Sequence, residues 1–459
     1  MLPKLDHPVL VKLVTFREAL NLQWIKPILI IFGCSLLMSA CSEREEILLG
    51  KRYDIRSDVV STSAEAQENT SKEIRLPQQI NNASWPQAFG TPAFRTDHPA
   101  LSPTVSLRWS TNIGAGDSRK QRIVANPVVG GGLIYTLDSD ALLSSVSSTG
   151  QVLWSRDLRP IRDSRGDATG GGLAYSNEVL YVTLGYGEVS ALDAKTGELI
   201  WRQKLNATGS GSPLVSDGLV YVVAGDDTAW AIQADNGRIA WQISATPSIS
   251  NILGSPAPVR AGRSVVFAFG AGDLVAAFPR SGLRRWAASL LTSQRGRALS
   301  RISDITGSPV VVGDRIFAGN HSGQIVAFDA DNGERIWTVR RGALDSLWPA
   351  GDSVFVITDR NELMRLQATT GEKIWEFELP DFVSDRPNRR DKIYANHGPV
   401  LAGGRLIVTS SDGLIRFFSP QDGRLLSTVN IPNGATTAPV VANNTLYVVS
   451  TNGQLHAFR

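Results

Sequence analysis

The sequence predicts an all-β fold, an eight-bladed β-propeller of four-stranded antiparallel blades closed by an N-terminal strand that pairs with the last blade. Three observations predict it. A unit of short β-rich runs, each ended by a Gly-containing turn, recurs along the chain. A tryptophan closes the unit at Trp109, Trp154, Trp201, Trp241, Trp286, Trp337 and Trp375, at intervals of 38 to 51 residues. The last unit stops one strand short, whereas the first is preceded by a spare strand, and a ring reconciles the two ends.

The stretch 308–337 shows the unit most clearly. Ser-Pro-Val-Val-Val is followed by Gly313-Asp314, then Arg-Ile-Phe-Ala-Gly, a turn at His321-Ser322-Gly323, and Gln-Ile-Val-Ala-Phe. Asp329-Ala-Asp-Asn332-Gly333 then leads into Glu-Arg-Ile-Trp337. Each run is long enough for one strand, and the turns between them signal an antiparallel meander. The closing half returns at 191–201 and, with variation, at 231–241, 277–286, 366–375 and 147–154. In each, Gly supplies a positive φ, and where an Asp precedes the turn, as at Asp193 and Asp329, it can accept hydrogen bonds from the turn amides. The tryptophan is expected to fill the wedge between neighbouring sheets, a structural role.

The units start near Ala125, Gly172, Ser212, Ser255, Ser308, Trp348, Pro399 and Pro439, which counts eight blades; seven follows if one degenerate unit is a long loop. The copy beginning at Pro399 has Asp422-Gly423 in place but Ser427 where tryptophan is expected. The missing strand of the last unit is supplied by the run Val105-Ser-Leu-Arg-Trp109. No sustained 3.6-residue apolar period occurs after residue 50, which excludes a helical solenoid.

The chain opens with a basic region (Lys4, Lys12, Arg17, Lys26) followed by the apolar run Pro27–Met38, too short to span a bilayer. Ser39-Ala40 then precedes Cys41, and this arrangement resembles a bacterial lipobox. The resemblance implies a signal peptide over 1–40, a diacylglyceryl group on Cys41, and a lipidated N-terminus with a flexible tether over 41–84. The propeller occupies 85–459. Residues 42–82 are polar and poor in aromatics, the composition of a disordered linker, although Leu48–Arg56 is less random. Ser42 rather than Asp follows the lipobox cysteine, which by the same resemblance implies the outer membrane. The two cysteines are Cys34 and Cys41, so cleavage after Ala40 leaves one thiol and no disulfide.

Charge and chemistry narrow the function. Without residues 1–40 the chain keeps 42 basic and 41 acidic residues, and no basic tract interleaves with aromatics, so nucleic-acid binding has no electrostatic support. His7, His98, His321, His397 and His456 have no metal-ligand spacing, and there is neither a Gly-x-Ser-x-Gly elbow nor a phosphate-binding Gly-rich loop. Asp138-Ser-Asp140 and Asp226-Asp227 fall on hairpin turns of the repeat and are read as turn residues.

The repeat over about 105–459 resembles that of pyrroloquinoline-quinone propellers, which include dehydrogenases and non-enzymatic relatives. Those dehydrogenases need a calcium site and commonly an adjacent-cysteine disulfide, and this propeller contains no cysteine. A lipobox followed by such a propeller resembles the BamB family of outer-membrane assembly lipoproteins. The resemblance implies a non-catalytic scaffold, without cofactor, that docks on the periplasmic domains of the barrel subunit of the assembly machinery, with unfolded outer-membrane proteins as further partners. It also assigns partner contacts to the links entering the fourth and fifth blades, at Ile249, Ile252, Arg301 and Asp304, which are expected to stand on one rim outside strand packing. A quinone-dependent dehydrogenase and an envelope sensor or carbohydrate-binding propeller are the alternatives.

Overall fold

The computed structural model describes residues 68–459 apart from 89, 92–97, 210, 248–255, 292–303, 306, 322, 385 and 387–389. Within them the chain forms thirty-two strands, β1 to β32 in chain order, and every element is β. Eight four-stranded antiparallel sheets follow one another. Blade 1 is β2–β5 (128–157), blade 2 β6–β9 (171–204), blade 3 β10–β13 (214–244) and blade 4 β14–β17 (259–289). Blade 5 is β18–β21 (310–339), blade 6 β22–β25 (348–378) and blade 7 β26–β29 (396–430). Blade 8 combines β30–β32 (440–458) with β1 (Leu107–Asn112).

Closure follows the expected route. Trp109 pairs with Ala457 and Asn112 with Gln454, and Ser106 and Arg459 exchange backbone hydrogen bonds of 3.1 and 3.0 Å. The first strand of each blade is innermost, since first strands of neighbouring blades touch one another. Links between blades and the turns joining second to third strands therefore share one face, here the upper. The other two hairpin turns of each blade share the lower face. Burial agrees with this layering: middle strands such as Leu219–Val223 are nearly all buried, while outer strands such as Ile239–Ser244 are largely exposed.

The tryptophans do more than fill a wedge. Each of the seven extends from the outer strand of its blade onto the turn before the outer strand of the next. Trp201 Nε1 donates to the Ala234 carbonyl at 2.9 Å, and Trp241 Nε1 to that of Pro279 at 2.8 Å. The other five make the same bond to Ser148, Ala194, Ala330, Ala368 and Pro420. The indole lies flat on the turn glycine, so a Cβ on Gly237 would stand 2.7 Å from the Trp201 ring. At φ +75° that glycine is also in the left-handed region, so it is required twice over. A one-residue bulge beside the tryptophan shifts register between the last two strands, as at Ala231/Ile232 and Ala327/Phe328, and re-aims the side chain. The turn aspartates act as expected: Asp193 Oδ1 accepts the Lys195 and Thr196 amides at 2.9 and 2.8 Å. These bonds, above all that from Thr196, hold its carboxyl below the ordinary range.

The segment preceding β1 departs from the expected tether. From Asn69 onward it lies on the ring instead of remaining free as far as residue 84. Thr70 N bonds the Ile374 carbonyl at 2.9 Å, and Asn69 exchanges hydrogen bonds with Glu376. The segment then crosses the lower face to the axis. There Trp85 pairs with Val129 and stacks on Trp348 at 6.4 Å, and Gln87 caps Val215. Composition alone suggested disorder here because the stabilising partners lie some 300 residues away in sequence.

Candidate partner-binding face

The upper face gathers the links between blades, and a ring of eight blades brings links distant in sequence side by side. On the axis they surround a funnel of about 470 Å³ lined by Asp117, Arg122, Asp345, His397 and Thr436 among others, with Ala88 of the N-terminal segment reaching it from the lower side. Thr436 Oγ1 donates to Asp117 Oδ2 at 2.8 Å, and Arg122 pairs with the same oxygen at 3.3 Å. Asp345 accepts the amides of Gly398 and Ser346. Burial pushes the His397 imidazole below its ordinary pKa, against the opposing pull of Asp345 and Asp117, so the ring is neutral near pH 7. Among the described residues no group of three His, Cys, Asp or Glu side chains is arranged to hold a metal ion.

The acidic pairs singled out from the sequence shape turns. Asp138 accepts the amides of Ala115, Asp140 and Leu142, at 2.7, 2.8 and 2.7 Å. Asp227 accepts the Gly270 amide of the next blade at 2.8 Å. His321 donates its backbone amide to Asp304, and His456 lies inside blade 8.

Of the four residues assigned to partner contact, Ile249, Ile252 and Arg301 lie outside the described residues, as does the lipidation candidate Cys41. Asp304 is described, and its setting differs from expectation. It is only 3% exposed, and its carbonyl accepts the His321 amide at 3.0 Å. The neighbouring Ile305 bridges to Asn320 and enters the core shared by blades 4 and 5. This bridge draws the link down onto the blade 5 turn, so Asp304 belongs to packing as well as to the rim.

The structure shows a surface feature that sequence reasoning missed. In the link between blades 1 and 2, Ile161 is fully exposed at the tip of a turn closed by the Asp163 amide on the Pro160 carbonyl at 3.0 Å. The base of this loop is tied by ion pairs and a backbone hydrogen bond. Arg159 pairs with Asp157 at 2.5 Å, Arg165 with Asp140 at 3.4 Å, and Gly166 N bonds Asp140 Oδ1 at 3.2 Å. Arg162 stands exposed beside Ile161. The only sequence signal was an isoleucine between a proline and an arginine, outside any repeat position.

Comparison with known proteins decides the family. The sequence pattern of the family described as "Outer membrane protein assembly factor BamB" matches residues 139–377 and 366–459. The chain belongs to this family. A relative from Yersinia pestis with the same description is 24% identical over 367 residues, covering 78% of this chain and 89% of that protein. The crystal structure of BamB from Moraxella catarrhalis superposes with a TM-score of 0.64 at 20% identity, over 78% of this chain and 100% of that one. Quinohemoprotein alcohol dehydrogenase from Comamonas testosteroni also reaches 0.64, at 15% identity over 83% of this chain and 81% of that one, a likeness of fold alone.

Proposed function

We propose that this protein is a non-catalytic scaffold of outer-membrane protein assembly, lipid-anchored through Cys41 to the periplasmic side of the outer membrane. Its upper face docks on the periplasmic domains of the barrel subunit and so aids folding and insertion of outer-membrane proteins. The observation that carries this reading is the family match across residues 139–459. The links entering blades 4 and 5 supply Ile249, Ile252 and Arg301 as contacts. Asp304, buried as it is, shapes the second link, and Ile161 with Arg162 adds a further apolar-plus-cation contact on the same face. A few apolar anchors flanked by charge are the usual makeup of an interface hot spot.

The test is co-purification of the barrel subunit with Ile249→Ala/Arg301→Glu, and separately with Ile161→Ser/Arg162→Glu. Each pair is expected to weaken association about tenfold or more, with thermal stability unchanged. Wild-type recovery by both pairs would remove this docking face. Intact mass of the protein isolated from envelope membranes should show an acylated chain beginning at Cys41. An unmodified chain beginning at Met1 would contradict the anchor.

A further inference from the structure

Seven interblade junctions carry the tryptophan clamp described above. At the eighth, between blades 7 and 8, Ser427 occupies the donor position. The receptor is missing too, because blade 8 takes its outer strand from the other end of the sequence and has no turn there for an indole to cover. The N-terminal segment lies across this junction on the lower face. On the blade 7 side, the Gly403 amide donates to Pro99 O at 2.9 Å, the Gly404 amide to His98 Nε2 at 2.8 Å, and Arg405 to the Ser102 carbonyl at 2.6 Å. On the blade 8 side, Asn82 Nδ2 donates to Val441 O at 2.7 Å, the Asn443 amide donates to Asn82 O at 2.8 Å, and Asn444 reaches Ser102 at 3.1 Å. The two halves of the segment are joined by Ile80, which pairs with Pro99, and by His98 Nδ1, 2.6 Å from the Pro77 carbonyl.

Burial shows the same division. Between blades 1 and 6 the apolar core is split into separate clusters, one for each junction. From blade 6 through blades 7 and 8 to blade 1 it is a single cluster, and Trp85 and Leu101 of the N-terminal segment belong to it. The segment is fastened at its start by Arg365, fully buried, which donates to Lys72 O at 2.6 Å and to Gln421 O at 3.0 Å, so it grips blades 6 and 7 together.

We propose that the lower face of blades 6, 7 and 8 is a binding site for the chain's own residues 69–88 and 98–104, and that these residues form a clasp holding shut the junction without a tryptophan. Its chemistry is that of a peptide ligand. Backbone amides of the first hairpin turns of blades 7 and 8 take carbonyl and imidazole acceptors, and Leu101 and Trp85 bury apolar surface in the core that runs from blade 6 to blade 1.

Hydrogen exchange tests the proposal on three proteins: the chain lacking residues 1–66, the chain lacking 1–104, and the latter with a synthetic peptide of residues 68–104 added. Removing the clasp should speed exchange about tenfold or more in blades 7 and 8, leave blades 2 to 4 unchanged, and be reversed by the peptide. Should the shorter chain fail to fold, the pair Asn82→Ala/His98→Ala in the full-length protein replaces it, with Gln87→Ala, which contacts blade 3, as the comparison. Faster exchange at the blade 7–8 junction in the first variant alone supports the clasp. Uniform loss of protection around the ring, equal effects of the two variants, or no change would overturn it.

Discussion

Blades 2 and 3 meet in a different way from blades 7 and 8, although both pairs are built from the same repeat. At the first junction Trp201 covers Gly237, donates to Ala234 and tilts against Tyr181 at 6.0 Å. A residue and its receptor turn lie 36 positions apart, and one sequence rule supplies both. At the second, Ser427 is exposed, Leu425 and Leu426 beside it are exposed as well, and a segment that precedes the repeat altogether bonds to the turns of both blades over their shared core. A ring closed by strand exchange has one blade whose last turn is interrupted, and a clamp that depends on that turn cannot operate there. The difference teaches that seven junctions of this ring carry an indole on the neighbour's turn, and that the one without such a turn is spanned by a segment from outside the repeat.

The largest expected effect comes from breaking closure itself. Deleting residues 1–115 removes β1 and leaves β32 as an open edge, so blade 8 loses a strand and no cooperative unfolding transition should remain by circular dichroism. Deleting only 1–66 should leave the melting temperature of the described unit unchanged. Equal transitions for the two truncations would contradict closure by β1.

A smaller effect separates the two kinds of junction. Trp201→Ala should cost about 3–5 kcal/mol by denaturant titration, the usual loss for truncating a buried aromatic side chain. Ser427→Trp should yield no gain, within about 0.5 kcal/mol of the parent, because no turn receives the ring. A clear stabilisation by Ser427→Trp would show that the missing residue, and not the missing receptor, distinguishes this junction.

The smallest expected effect is a pH dependence within blade 8. His456 is fully buried, with Ser110 at 2.7 Å from Nδ1 and Ser450 at 2.9 Å from Nε2. Ser450 Oγ also lies 2.6 Å from Asn452 Oδ1, which takes its proton, so it accepts from Nε2–H and the ring is the neutral tautomer with Nδ1 free to accept from Ser110. Burial lowers the pKa of His456 below its ordinary value. The unfolded chain therefore takes up a proton that the folded chain refuses. This contribution to stability is complete above the ordinary histidine range near 6.5 and is lost as pH falls below it. His397 has the same sign. Urea midpoints should fall between pH 7 and pH 5, and His456→Asn should flatten that slope; an unchanged slope would mean that His456 contributes nothing to it.

Sequence alone determined the repeat, the structural role of the tryptophans and turn aspartates, and closure by the run around Trp109, and it favoured eight blades over seven. Each of these rests on short-range rules: alternation along a strand, positive φ in a turn, and one large residue at a fixed distance from a glycine. Tertiary structure decided the rest. Asp304 is buried because Ile305 bridges to Asn320, which no periodicity in the link announces. Ile161 is exposed because Asp140, a turn residue of blade 1, organises a loop some twenty residues downstream. The polar stretch beginning at Asn69 lies on the ring because blade 6 and then the turns of blades 7 and 8 offer it backbone partners. Those contacts join residues more than 300 positions apart and follow no repeat, so the surface that receives the segment comes into being only when blades 6 to 8 have folded.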